Sequence, residues 1–128
     1  MRIAAVDHIT INCRNVAASF DFYERVLGLE KLSEADLGDH ALYYYSLPGT
    51  RLELIVYTDP QKNIEASNTD TGIYRHIALV VDDLNEAHRL IKDAGCKINL
   101  APTYVDKIGK TVMLFVDPNG VEIELIQA

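Results

Sequence analysis

The sequence predicts an α+β fold made of two tandem β-α-β-β-β modules, and three observations predict it. Each half opens with a strand-like run holding a histidine: Asp7-His8-Ile9-Thr10-Ile11 and Arg75-His76-Ile77-Ala78-Leu79. Each half closes with a strand-like run holding a glutamate: Leu52-Glu53-Leu54-Ile55 and Ile123-Glu124-Leu125-Ile126. Between these runs both halves carry one segment with apolar residues at helical spacing. The modules span 1–57 and 73–128 of a single domain, 1–128. The joining segment 58–72 is polar and lacks periodicity.

In the first module, Ile9 and Ile11 fall on one face of a strand, and His8, Thr10 and Asn12 on the other. Asn15 suits a helix N-cap. Val16, Phe20, Tyr23 and Leu27 recur at helical spacing, which predicts a helix over 16–27 ended by Gly28. Leu29 to Ser33 reads as a weak strand. Ala41 to Leu47, with Tyr43-Tyr44-Tyr45, reads as a strand, and Arg51 to Tyr57 follows after a Pro48-Gly49-Thr50 turn. The second module repeats this order. His76 to Val81 is a strand, and Asp82 or Asp83 caps a helix from Leu84 to Ala94. Leu84, Ala87, Leu90 and Ile91 form its apolar face, and Gly95 follows its end. Ile98 to Leu100 and Thr111 to Val116 read as strands, with Ala101 to Lys110 as a loop. Asp117-Pro118-Asn119-Gly120 is a turn before a last strand over 121–127.

Bulk properties narrow the function. A chain of 128 residues buries roughly two thirds of its unfolded surface, enough for a real core. The 48% hydrophobic and 24% charged residues are ordinary for a globular protein. A net charge of −7 argues against a nucleic-acid binder, which needs a basic face. No apolar run reaches the roughly 18 residues of a membrane span, and the N-terminal residues turn acidic too soon for a signal peptide. The expected location is the cytoplasm. Cys13 and Cys96 form no metal-binding spacing and read as two small, reduced, half-buried residues.

Strand alternation decides which way the repeated pair points. Leu52, Leu54 and Val56 share one face, and Arg51, Glu53, Ile55 and Tyr57 the other. Val121, Ile123 and Leu125 share one face, and Glu122, Glu124 and Ile126 the other. With the apolar faces under the helices, His8, Glu53, His76 and Glu124 project from the helix-free side, where a curled sheet forms a cleft. A buried imidazole or carboxylate needs a partner there. Two imidazoles and two carboxylates suit one divalent transition metal, with Ni, Zn, Co, Fe or Mn all compatible with nitrogen and oxygen donors. Four protein ligands on an octahedral ion leave positions for substrate oxygens. Any one of these residues alone reads as ordinary. Their recurrence at matching places in both halves reverses that reading. Glu122 shares the face of Glu124 and is a rival ligand. The match of Leu-Glu-Leu-Ile with Ile-Glu-Leu-Ile selects Glu124. His40 and His88 lack a counterpart in the other half and read as surface residues.

These residues, with Phe20-Asp21-Phe22-Tyr23-Glu24-Arg25-Val26-Leu27-Gly28-Leu29 and Asp117-Pro118-Asn119-Gly120-Val121-Glu122-Ile123-Glu124-Leu125, give the chain a resemblance to the vicinal oxygen chelate superfamily, in its glyoxalase I-like branch. The resemblance spans nearly the whole chain. It implies paired β-α-β-β-β modules around a metal cleft, with the ligand set His8, Glu53, His76 and Glu124. It also implies a homodimer with metal sites at the interface, each chain giving one His–Glu pair. Glyoxalase I converts the hemithioacetal of methylglyoxal and glutathione to a thioester through an enediolate. On that pattern Glu124 is the base and Glu53 its opposite-face partner. The expected substrate contacts are Asn12, Tyr57 and Lys107. Asn12 stands where glutathione-using relatives carry an arginine, and Tyr57 where they carry an asparagine. Losing that arginine removes a bidentate carboxylate contact, so the resemblance leaves the thiol open.

The expected function is thus a metal-dependent lyase or isomerase of glyoxalase I type acting on a small molecule. Two alternatives stand beside it. An epimerase of the methylmalonyl-CoA type shares the proton transfer, but usually has glutamine where Glu53 stands and lacks the Asp-Pro-x-Gly turn. A non-catalytic, antibiotic-sequestering protein of the superfamily usually loses the metal ligands, and this chain keeps all four.

Overall fold

The computed structural model describes residues 1–59, 61–67 and 69–128. The expected joining segment includes Pro60 and Asn68, which lie outside the described residues. The chain divides into two compact units, Met1–Asn63 and Ile64–Ala128. Among the described residues no helix is long and apolar enough to cross a membrane.

The first unit contains β1 (Ile9–Asn12), α1 (Val16–Asp21), β2 (Lys31–Asp36), β3 (His40–Leu47) and β4 (Thr50–Tyr57). Its sheet has the order β1-β4-β3-β2, with β1 parallel to β4 and the other pairs antiparallel. Asn15 caps α1 by accepting a hydrogen bond from the Ala18 amide at 3.0 Å. The expected helix over 16–27 is not uniform. After Asp21 it widens into a π-helical turn, Phe22–Val26, and the Leu27 amide reaches back to the Phe22 carbonyl at 2.9 Å. The widened turn carries Phe22 and Tyr23, both buried, with rings 5.0 Å apart edge to face. Such a turn is set by packing, and a 3.6-residue period cannot announce it. Gly28 then takes φ 68°, a left-handed conformation open to glycine.

Two expectations need correction here. The weak strand lies over Lys31–Asp36, later and longer than 29–33, and all six of its residues are exposed. Pairing with β3 makes it a strand, so no burial pattern marks it. His8 stands just before β1, since the ladder starts at Ile9↔Leu52.

The helix side of this sheet is fixed by β3. The Tyr45 hydroxyl donates to Glu24 at 2.8 Å, and the Tyr43 ring packs on Phe20 at 4.8 Å. Successive strand residues alternate in direction, so Tyr44 faces away from the helix. Leu52 and Leu54 are buried, Leu54 fully.

The second unit repeats the order with β5 (His76–Val81), α2 (Leu84–Asp93), β6 (Ile98–Val105), β7 (Lys110–Val116) and β8 (Glu122–Gln127). Its sheet order is β5-β8-β7-β6, again with the first strand parallel to the last. Asp83 is the cap of α2, accepting from the Asn85 and Glu86 amides at 2.9 Å. Leu84 and Ile91 bury its apolar face, whereas Leu90, expected there, is exposed. Phe115, Met113, Ile123 and Leu125 complete the core of this unit.

The expected loop over 101–110 is largely strand. β6 continues through Pro102 to Val105, and a single 3-10 turn, Asp106–Ile108, leads to Gly109 at φ 63°. Pro102 is tolerated because β6 is an edge strand whose register slips between Leu100 and Thr103. A missing amide donor costs little at such a place. The Asp117 side chain closes the last turn, accepting from the Asn119 and Val121 amides at 2.8 Å.

Candidate functional site

The two units place their repeated residues in the same register. In the first, Thr10 pairs with Glu53, which pairs in turn with Tyr44. In the second, Ala78 pairs with Glu124, which pairs with Leu114. Each histidine stands two residues before the partner of its glutamate. The parallel first and last strands therefore bring one His–Glu pair together in each unit.

In the first unit, His8 Nε2 lies 3.9 Å from Glu53 Oε1. Glu53 is 5% exposed. Its Oε1 accepts from the Thr10 hydroxyl at 3.0 Å. A hydrogen bond to Glu53 also raises the Tyr44 phenol above its ordinary range, helped by burial and by the glutamate charge. The Tyr44 ring meets His8 edge-on at 6.2 Å and carries the Arg51 guanidinium over its face at 4.7 Å. Behind the histidine, Nδ1 lies 2.7 Å from Asp7 Oδ2. An ionised carboxylate only accepts, so Nδ1 is the donor, and Nε2 is the ring nitrogen on the Glu53 side. Arg51 Nη2 donates to the same Asp7 oxygen at 2.6 Å. The bonds from His8 and then Arg51 hold the Asp7 carboxyl below the usual carboxylate range.

In the second unit, His76 Nε2 lies 3.0 Å from Glu124 Oε2. The sheet neighbours of Glu124 are Ala78 and Leu114, which offer no side-chain donor. His76 Nδ1 is buried without a hydrogen-bond partner among the described residues. The oxygen facing it is Glu122 Oε1, at 3.6 Å. Glu122, the rival ligand, is buried and engaged on both oxygens: Arg75 Nη1 donates to Oε1, and Asn99 Nδ2 to Oε2 at 2.8 Å.

The donor atoms fit a divalent ion unequally. Nitrogen and oxygen ligands about 2.1 Å from an ion, set at right angles, lie roughly 3.0 Å apart. His76 and Glu124 already stand at that spacing. His8 and Glu53 would have to close by about 0.9 Å from 3.9 Å. The Asp7-bound His8 Nδ1 suits the usual habit of metal-ligating histidines, whose second nitrogen donates to a carboxylate; His76 Nδ1 faces Glu122 at 3.6 Å without a hydrogen bond. Among the described residues no three His, Cys, Asp or Glu side chains are arranged to enclose an ion.

The expected substrate contacts differ in setting. Asn12 is exposed at the end of β1. Tyr57 is half-buried, with its ring stacked on His40 at 5.2 Å. Lys107 is exposed in the 3-10 turn. His40 and His88 are half-buried rather than surface residues. His40 Nδ1 lies 2.6 Å from Asp39. Both cysteines are half-buried. Burial, and then the Asp117 charge, push the Cys96 thiol up, away from a thiolate role.

Sequence reasoning overlooked Asp7, Thr10, Tyr44, Arg51, Arg75 and Asn99. Alternation alone puts Thr10 and Arg51 on the face of His8 and Glu53. Asp7 and Arg75 share a simpler mark, since each directly precedes a ligand histidine.

Comparison with known proteins agrees with this layout. Residues 5–125 match the family described as the Glyoxalase/Bleomycin resistance protein/Dioxygenase superfamily. The chain is 34% identical to a lactoylglutathione lyase of Neisseria meningitidis, over 94% of this chain and 88% of the relative. It is 33% identical to a lactoylglutathione lyase of Escherichia coli O157:H7, over 94% and 90%. Among solved structures it is similar to the glyoxalase I of Leishmania major, described as trypanothione-dependent. That match has a TM-score of 0.76 and 25% identity, over 98% of this chain and 87% of that one.

Proposed function

We propose that this chain, which belongs to the Glyoxalase/Bleomycin resistance protein/Dioxygenase superfamily, isomerises the hemithioacetal of an α-oxoaldehyde and a thiol to a 2-hydroxyacyl thioester. Relatives named lactoylglutathione lyase support an enzyme of the lyase or isomerase kind. The observation that carries the finer reading is the unequal setting of two glutamates in equivalent register. Glu53 is fixed by the Thr10 hydroxyl and faces Tyr44, whereas Glu124 has apolar sheet neighbours and only His76 beside it.

That inequality supports a division of roles. The reaction removes a proton from the carbon bearing sulfur, passes through an enediolate, and returns a proton to the adjacent carbon. Glu124 accepts the first proton and delivers it to the second carbon, because among the described residues no hydroxyl donor is bonded to its carboxylate. Glu53 stays in place as a ligand. His8, Glu53, His76 and Glu124 form the donor set for one divalent ion, Ni, Zn, Co, Fe or Mn. When bound, that ion supplies Lewis-acid polarisation of the substrate oxygens. The two pairs are contributed by different chains of a homodimer. Asn12, Tyr57 and Lys107 contact the substrate. The relatives' names point to different thiols, glutathione in one case and trypanothione in another, and Asn12 supplies no guanidinium for a thiol carboxylate.

The test is to measure the metal content of the purified protein and then assay the metal-loaded form. Methylglyoxal is offered with glutathione, trypanothione and smaller thiols, and thioester formation is followed. Thioester formation with at least one thiol supports the proposal. A protein that takes up none of the five ions overturns it. Proton exchange beside a preformed acyl thioester, without thioester formation, would move the assignment to an epimerase.

A further inference from the structure

The residues behind the two histidines form one device built with opposite polarity. Asp7 and Arg75 occupy the same place, each directly before its histidine. Arg51 and Glu122 also occupy the same place, each two residues before its glutamate. In the first unit the acid precedes the histidine and the arginine lies on the last strand; Arg51 bonds Asp7. In the second unit the arginine precedes the histidine and the acid lies on the last strand; Arg75 bonds Glu122. The two ion pairs are thus equivalent with their charges exchanged.

The carboxylate nevertheless meets the same atom in both. Asp7 Oδ2 is shared between His8 Nδ1 at 2.7 Å and Arg51. Glu122 Oε1 accepts from Arg75 and faces the buried His76 Nδ1 at 3.6 Å, beyond hydrogen-bond distance among the described residues. In both units the arginine anchors the carboxylate and the carboxylate faces Nδ1. The opposite nitrogen, Nε2, is left facing the glutamate.

We propose that Asp7–Arg51 and Arg75–Glu122 are positioning pairs that hold His8 and His76 with the proton on Nδ1 and the lone pair of Nε2 directed at the metal. The inference rests on the ligand reading above and assigns to these four residues a role that neither the motifs nor the comparisons give them. Asp7, Arg51, Arg75 and Glu122 touch no reacting atom in this scheme; they act through the imidazoles. Carboxylates placed this way typically raise metal affinity by about 10- to 100-fold.

The charge exchange supplies its own test. Imidazole nitrogen shifts of the metal-free protein at pH 8 report which nitrogen carries the proton. Both His8 and His76 are expected as the Nδ1–H tautomer in the wild type. Asp7→Ala should release His8 alone, and Glu122→Gln His76 alone. Zn²⁺ affinity, measured by chelator competition at a temperature where far-UV circular dichroism shows each variant folded, should fall about 10- to 100-fold in each. The double variant Arg75→Asp/Glu122→Arg converts the second unit to the polarity of the first. It should recover Zn²⁺ affinity to within about threefold of wild type, while Glu122→Arg alone does not. Wild-type histidines protonated on Nε2 would overturn the proposal. So would folded Asp7→Ala and Glu122→Gln variants that bind Zn²⁺ as tightly as wild type. A wild type that shows the Nδ1–H tautomers but takes up no divalent ion would refute the ligand reading and leave the positioning intact.

Discussion

Glu124→Gln separates the two glutamates most directly. Glutamine keeps the length of the side chain and one oxygen able to reach the proposed ion, and its amide can donate to His76 Nε2, which stands 3.0 Å from the carboxylate. It cannot accept a proton. Positioned acid–base groups contribute about 10²- to 10⁴-fold in rate, or about 3–5 kcal/mol at 1.36 kcal/mol per decade. The surroundings select the upper half of that range. Ala78 and Leu114, the sheet neighbours of Glu124, cannot take a proton. Glu122, the nearby carboxylate on the same strand, is occupied by Arg75 and Asn99. With His76 proposed as a metal ligand and Glu122 engaged by Arg75 and Asn99, Glu124→Gln should lower kcat of the metal-loaded protein by about 10³- to 10⁴-fold. Glu53→Gln should act mainly on metal affinity, because the amide oxygen can still accept from Thr10. The assay is thioester formation at measured metal occupancy, so that lost metal is not counted as lost chemistry. A Glu124→Gln protein at full occupancy that keeps more than about a tenth of wild-type kcat would refute the assignment. So would a Glu53→Gln protein with the larger loss in kcat.

Three further outcomes are expected. Thr10→Val should weaken Zn²⁺ binding by about tenfold by freeing Glu53, and Ala78→Thr, which places the same hydroxyl beside Glu124, should lower kcat without loss of metal; chelator competition and steady-state kinetics check the two arms. Burial, reinforced by the bond to Glu24, raises the Tyr45 phenol above its ordinary value of 10.0. The folded state therefore holds that proton more tightly than the unfolded chain. The corresponding stability is complete below pH 10 and falls as pH rises beyond it, so thermal midpoints should decline above pH 10 in wild type and less steeply in Tyr45→Phe. Removing the α2 cap with Asp83→Ala, which takes the acceptor from the Asn85 and Glu86 amides at 2.9 Å, should cost about 1 kcal/mol in denaturant unfolding.

The elements legible in the sequence are those whose pattern arises from burial. Leu84 and Ile91 are both buried on one face of α2, and Asp83 caps it, so spacing and cap agree. β4 runs over Thr50–Tyr57, close to the 51–57 that its alternation indicates, with Leu52 and Leu54 buried on one face. What escaped was set by pairing or packing instead. β2 is wholly exposed and owes its conformation to β3. β6 runs through a proline because it is an edge strand with a register slip. The turn at Phe22–Val26 widens around two buried aromatic rings, which no residue period encodes.

The same distinction explains which parts of the candidate site could be read. His8 and His76, and Glu53 and Glu124, are the same residue at equivalent places, so comparing one half with the other exposes them. Asp7 and Arg75 are opposite in charge at equivalent places, as are Arg51 and Glu122, and a search for identity passes over both. Yet each exchange conserves what matters physically, an arginine and a carboxylate in contact with the acid oxygen facing Nδ1. The residues flanking the glutamates diverge in the other direction. Thr10 and Tyr44 stand where the second unit has Ala78 and Leu114, so donor side chains flank one carboxylate and not the other. On the proposed roles, two copies of one module share a ligand pair and still divide the work, because fixing a ligand and moving a proton make opposite demands on a carboxylate's neighbours. A fixed ligand is stabilised by hydroxyl donors. A base that must leave one atom and reach another is hindered by them.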